Sequence, residues 1–289
     1  MLLAIDIGNS RIKLGRFDQP GDCVRAAQSA PLPIAGPALS SPSESLTLNP
    51  PVAAGSSAAT ELADWLALQG SVETVAVASV NRQGEHALFD LVKAESLFAD
   101  ANVTRLTNAA LPIEVRTELP EQVGIDRLLG AVAANRLRHT DRAAIVVDLG
   151  TAITVDLIAT DGAFEGGAIL PGIAMASRAL DEQTDALPRS GVTELDESPD
   201  AVGKNTADAI HAGLFWGAVG AVREIIARQS DRLVTPPQVF LTGGAAPSVA
   251  RLLGGPDRTV RYLPDLVLSG IAIAAGDAGP GDSQSDVER

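Results

Sequence analysis

Three carboxylates in this chain stand where chemistry is possible. Asp6 ends the apolar run at residues 2–5 and is followed by Gly8, Asn9 and Ser10. Ile12 and Leu14 then alternate with Lys13 and Gly15, the two-residue period of a strand. A carboxylate at a turn, with glycine letting backbone N–H groups approach an anion, suits a phosphate and its metal. An ordinary hairpin whose Asn and Ser side chains bond their own backbone carries the same signature. The pattern returns at residues 145–158, IVVDLGTAITVDLI, where Asp148 matches Asp6, Gly150 matches Gly8, Thr151 matches Asn9 and Ala152 matches Ser10 at an offset of 142. A repeat at half the chain length implies two similar halves, each opening with the same hairpin. Facing each other, they would form a cleft lined by two carboxylates and two glycine turns.

The third carboxylate is Asp126, in the run Gly124-Ile125-Asp126-Arg127 at a predicted helix start. Asp there is a routine partner of the helix dipole, whereas Arg opposes the dipole. Such an Asp can accept a hydroxyl proton, and the Arg can hold a carboxylate or a phosphoryl group. Two glycine features complete the set. Gly203-Lys204-Asn205-Thr206 opens the longest predicted helix, with Thr206 either its N-cap or a ligand contact. Gly243-Gly244-Ala245 ends a strand, where a ring or phosphate could lie on the backbone, or where the chain simply turns.

The elements that must position these residues alternate between α and β, which favours an α/β layer fold. Helices are expected over residues 60–69, 84–98, 125–139, 173–182, 207–229, 247–253 and 265–276. In the first, Leu62, Trp65, Leu66 and Leu68 are expected on the buried side. Besides the two hairpins, strands are expected over 72–80, 103–106, 113–115, 164–170, 239–242 and 260–263. Residues 18–57 lack periodicity and are rich in Pro, Ser, Ala and Gly. They read as loop or loose strand, 185–202 as a polar loop, and 277–289 as a disordered tail.

The chain has 289 residues and a formal net charge of −14, which argues against a nucleic-acid partner. Cys23 is the single cysteine, so no intrachain disulfide forms and a reducing cytoplasm is expected. No signal peptide and no apolar run of membrane-spanning length are read from the sequence.

Asp6-Ile7-Gly8-Asn9-Ser10 with Lys13 resembles the first phosphate motif of the acetate and sugar kinase, Hsp70 and actin superfamily. Asp148-Leu149-Gly150-Thr151 resembles its second, and Gly243-Gly244-Ala245 its adenosine motif. Four features together resemble the type III pantothenate kinases: Gly124–Arg127, the run 148–156, Gly166-Gly167-Ala168-Ile169-Leu170-Pro171-Gly172, and Gly203–Thr206. The resemblance implies two ribonuclease H-like (actin-like ATPase) domains over 1–139 and 140–276, each a mixed five-stranded sheet flanked by helices. It implies a homodimer using the long second-half helix, and phosphorylation of pantothenate by ATP, the first step toward coenzyme A. ATP with Mg²⁺ and a monovalent cation, K⁺ or NH₄⁺, are the implied cofactors.

By the same resemblance, Asp6, Ile7, Gly8, Asn9, Ser10, Arg11, Ile12, Lys13 and Thr151 would bind ATP, with Asp6 near the magnesium. Asp126 would be the general base. Gly124, Ile125, Asp126, Arg127, Thr117 and Thr206 would contact pantothenate, and Asp148 the monovalent cation. Ser10 stands where the family more often has Thr. Thr117, nine residues before Asp126, stands where its Tyr is expected. Other readings are a kinase of another small hydroxylated acid or sugar, a non-catalytic nucleotide-binding regulator, and an actin-like filament protein.

Overall fold

The computed structural model describes residues 1–18, 42–49, 52–53, 55–95, 97–98, 100–185, 187, 198–254 and 260–277. Cys23, most of the proline-rich stretch at 31–51, most of the loop at 185–202 and the tail beyond 277 lie outside the described residues.

The first half builds β1 (Leu2–Ile7), β2 (Ile12–Phe17), β3 (Glu44–Leu48), α1 (Ser57–Gln69), β4 (Thr74–Ser79), α2 (Arg82–Ala94) and β5 (Asn102–Arg105). After α3 (Ile125–Leu137), the second half builds β6 (Ala144–Leu149), β7 (Ala152–Ile158), β8 (Phe164–Pro171), α4 (Ile173–Glu182), α5 (Thr206–Ser230), β9 (Gln238–Thr242), α6 (Ala246–Leu253), β10 (Val260–Tyr262) and α7 (Leu266–Asp277). The sheet orders are β3-β2-β1-β4-β5 and β8-β7-β6-β9-β10. In both, the first three strands run antiparallel and the last two join in parallel. The repeat read from two hairpins is thus a repeat of whole mixed five-stranded sheets.

Strand periodicity divides the apolar side chains between two faces. Leu3, Ile5 and Ile7 of β1 pack toward Leu62 of α1 and Leu88 of α2. Ile145, Val147 and Leu149 of β6 pack toward Phe215, Val219, Val222 and Ile226 of α5 and Val249 of α6. The inner faces, with Leu2, Ala4, Ala144, Val146 and Ile158, share one core with α3 and α7. The helices are exchanged in this layer: α3 lies against β6 and β7, while α7 returns from the chain's end to lie against β1, β2 and β4. They approach closely, since a Cβ on Gly270 would lie 2.1 Å from the Leu129 carbonyl oxygen.

Several local expectations change. Leu68 is 79% exposed and Gln69 is buried in its place, because α1 seats Leu62, Leu66 and Gln69 on one stripe. Residues 113–115 form a single bridge, Val115 to Phe164, since Pro112 and the adjacent turns leave no room for a ladder. Glu44–Leu48 is a strand within the stretch read as loop or loose strand, and it adds to the edge of the first sheet through β2. Thr206 is not the cap of α5: Asn205 is, its side chain accepting from the Asp208 N–H at 2.9 Å. The described helix α5, 25 residues with an 18-residue window of mean hydropathy 1.2, is long and apolar enough to span a membrane. Its buried stripe packs on the second sheet instead.

Candidate functional site

Period two puts Asp6 on the inner face of β1 with Leu2 and Ala4, and Asp148 on the inner face of β6 with Ala144 and Val146. Lys13 pairs with Asp6 across the first hairpin, and Thr154 pairs with Asp148 across the second. Four residues separate the flanking pair Ile7–Ile12, but three separate Leu149–Ile153. The offset therefore falls from 142 before the turn to 141 after it. This corrects the sequence match: Arg11, not Ser10, is the counterpart of Ala152, Gly15 is the counterpart of Asp156, and Thr151 stands against the pair Asn9-Ser10. The two turns meet directly, with the Thr151 hydroxyl 2.8 Å from that of Ser10. Neither Gly8 nor Gly150 has a positive φ. A Cβ at Gly8 would sit 3.2 Å from the Arg11 carbonyl oxygen, and one at Gly150 3.3 Å from Asp148 Oδ1, so closeness is what both positions demand.

Other glycines make room for the same groups. A Cβ on Gly124 would fall 2.6 Å from Asp126 Oδ1, which accepts from the Arg127 N–H at 2.8 Å. Gly172 lies against the second turn, its N–H donating to the Thr151 carbonyl at 3.1 Å. Gly243, at φ +94°, fits against Asp148 and Leu149, so the strand-end glycine closes the cleft floor. Gly244 is exposed beside it.

Asp126, Arg127, Asp148, Thr154, Asp156 and Thr242 contribute to one small recess on the inner side of the second sheet. Burial pushes the Asp6 carboxyl up to about 7, with the charges of Asp126 and Asp148 adding and Lys13 opposing. Burial likewise pushes Asp148 up to about 6, Lys13 again opposing and Asp126 and Asp156 adding. The Asp126 carboxyl is raised by burial, against the Arg127 N–H and charge. Asp156 is raised by burial, against its hydrogen bonds from Arg127 and Thr154.

Four carboxylates that burden one another, against the cations Lys13 and Arg127, make a site that added positive charge relieves. Hard oxygen donors suit Mg²⁺ and K⁺. Among the described residues, no three His, Cys, Asp or Glu side chains are grouped to hold an ion. A magnesium ion there would draw most of its ligands from phosphate oxygens and water.

The type III pantothenate kinase model matches residues 2–228, most of the chain. The chain belongs to the type III pantothenate kinase family. A type III pantothenate kinase of Desulfosudis oleivorans is 40% identical over 167 residues, 57% of this chain and 62% of that protein. One of Anaeromyxobacter dehalogenans is 43% identical over 157 residues, covering 54% and 58%. The chain thus spans about three-fifths of the length of these curated relatives. One of Maricaulis maris is 33% identical over 221 residues, covering 74% and 82%. A solved structure from Sinorhizobium meliloti, described as a candidate 2-dehydro-3-deoxygalactonokinase, has a TM-score of 0.53 at 14% identity. It covers 97% of this chain and 100% of that one, a likeness of fold alone.

Of the site residues expected in a type III pantothenate kinase, Asp6, Lys13, Asp126 and Asp148 feel one another's charge. Ser10 and Thr151 bond across the cleft. Gly124 and Ile125 start α3 behind Asp126 and Arg127, with Ile125 buried. Ile7 and Ile12 are core residues of the first hairpin, and Asn9 and Arg11 are exposed on its turn. Thr117 and Thr206 do not line the recess. Thr206 is exposed at the first position of α5, while the Thr117 hydroxyl is buried beside Gly166 with no partner among the described residues. Two residues receive no role from the sequence, although Asp156 closes the motif run 148–156. Asp156 had a signal, a charge inside the apolar strand ITVDLI. Asp265, at the start of α7, is raised by burial and lowered by Lys13, and nothing local marked it.

Proposed function

We propose that the protein transfers the γ-phosphoryl group of ATP to the hydroxyl of pantothenate, yielding ADP and 4′-phosphopantothenate. The observation that carries this reading is the meeting of the two turns through Ser10 and Thr151, with Asp6, Lys13, Asp126 and Asp148 beside them. Backbone N–H groups of residues 6–13 and the Thr151 hydroxyl cradle the phosphates, and Lys13 neutralises their charge. When the ions are bound, Asp6 would stand near the magnesium and Asp148 would hold the monovalent cation. The metal, when bound, supplies charge neutralisation at the phosphates.

Asp126 accepts the hydroxyl proton as the new P–O bond forms and the bond to ADP breaks. Its raised pKa makes it a stronger base than an ordinary carboxylate. A hydroxyl is far too weak an acid to lose its proton beforehand, so positioning and charge neutralisation carry most of the rate. Gly124–Arg127 and the exposed Thr206 face pantothenate in this reading, whereas the Thr117 hydroxyl, buried beside Gly166, reaches it only if that segment shifts. A homodimer through α5, whose Gly213, Gly217 and Gly220 stand open, is part of it. So is a cytoplasmic setting without nucleic-acid or membrane partners.

The test is ADP release from ATP and magnesium, with and without pantothenate, in potassium and then sodium buffer. Turnover requiring pantothenate and potassium supports the whole reading. No pantothenate-dependent turnover in either buffer overturns it. The buried, unpartnered hydroxyl of Thr117 favours a second reading, in which another small hydroxylated acid is the better acceptor. A panel of such acids in the same assay separates the two.

A further inference from the structure

The mechanism above leaves Asp156 unused, yet few groups in the molecule are so tightly enclosed. Asp156 is fully buried on the inner face of β7. The Arg127 Nε donates to its Oδ1 at 3.1 Å and its Oδ2 at 3.2 Å, and Nη2 donates to Oδ1 as well. The Thr154 hydroxyl adds a further bond. The backbone of β8 closes over the carboxylate: a Cβ on Gly167 would lie 2.3 Å from Asp156 Oδ1. The guanidinium also rests 5.5 Å above the ring of Phe164, itself fully buried. Among the described residues Nη1 makes no hydrogen bond, and the Arg127 side chain keeps 15% of its surface exposed.

An apolar pair would fill this space at lower cost, because burying two charges forfeits their hydration. What the pair adds is direction. The side-on bond uses the Nε edge of the guanidinium, the ring fixes its plane, and the Nη1 side remains for an anion next to Asp126. A planar fork held in this way recognises a carboxylate by geometry rather than by bulk charge.

We propose that Asp156 is a positioning residue that aims Arg127 at the carboxylate of the substrate acid. The bond joins the first turn of α3 to β7, so it also sets the distance between the proposed base and the second sheet. This inference rests on the proposed reaction. Asp156→Asn keeps the shape of the side chain and removes its charge. It should raise KM for pantothenate on the order of 10- to 100-fold, with kcat and KM for ATP changed less than about 3-fold. In an Arg127→Ala background the same replacement should move KM less than about 2-fold, because the residue acts only through Arg127.

A normal KM for Asp156→Asn overturns the assignment. So does a loss that appears equally in kcat and in both KM values, or one that persists without Arg127, since each marks a role in folding alone. Absence of pantothenate-dependent turnover in the unsubstituted protein brings down the reaction itself, and this inference with it.

Discussion

In the first hairpin Lys13 faces Asp6; in the second, Thr154 holds the same place opposite Asp148. Two residues further along, the first hairpin has Gly15 and the second Asp156. A Cβ on Gly15 would lie 3.1 Å from Leu268 of α7, so that position serves helix packing. Asp156 instead meets Arg127 of α3. Topology, register and the leading Asp are shared, but the charge on the inner face differs. The first hairpin brings its own cation to its carboxylate, whereas the second stacks two carboxylates and depends on cations from outside, Lys13 for Asp148 and Arg127 for Asp156. A duplicated scaffold can divide labour in this way because strand periodicity keeps the inner face constant while single side chains change.

In the proposed reaction neither hairpin supplies the base, and this carries the largest expected effect. Asp126→Asn should retain ATP binding and lose turnover by about 10³-fold, within the range for general bases. Substantial residual turnover in a phosphate-transfer assay would remove Asp126 from that role. With the intact enzyme, activity should rise with pH through a pKa above the ordinary carboxylate range, because the ionised form accepts the proton.

The asymmetry in charge comes next. Lys13→Met should lower kcat/KM for ATP by about 10²-fold, while Thr154→Val at the matching place costs about 5-fold or less. Equal losses would mean that the two hairpins are alike in function. Asp148→Ala should abolish the response of the rate to potassium; an unchanged potassium titration would place the cation elsewhere.

Stability gives a smaller test. Folded Asp6 holds its proton to about 7 against an ordinary value of 3.8, so the ligand-free protein loses stability as pH rises through this window. Asp6→Asn should therefore melt about 5 °C higher than the parent at pH 8 and show no such gain at pH 3. A gain of the same size at both pH values would break the link to ionisation. Last, Ser10→Ala removes the bond to Thr151 at 2.8 Å and should raise KM for ATP about 3-fold, measurable in the same kinetic assay.

Much of this was legible beforehand. Alternation of apolar residues announced both hairpins, and Asp-x-Gly at half-chain spacing announced the repeat. The helix at Ile173–Glu182 fell where Pro171-Gly172 and its apolar pattern put it. Where reading failed, a local signal was absent or misleading. The stretch holding Glu44–Leu48 stays open between loop and loose strand, because the strand borrows its ladder from β2 and its flanking Pro and Ser mask its short alternation. The match of Ser10 to Ala152 failed because one extra turn residue leaves no trace in a gapless comparison.

By itself the sequence determined most element types, the two carboxylates of the hairpins and the family, since these follow from residue type and short-range spacing. Only the tertiary structure decided that α3 and α7 exchange sheets, that Ser10 meets Thr151, and that Asp156 holds Arg127. Those contacts join residues far apart in the chain, 141 positions for Ser10 and Thr151 and more than that for α7 on β1, and no local periodicity encodes which distant surfaces pack together.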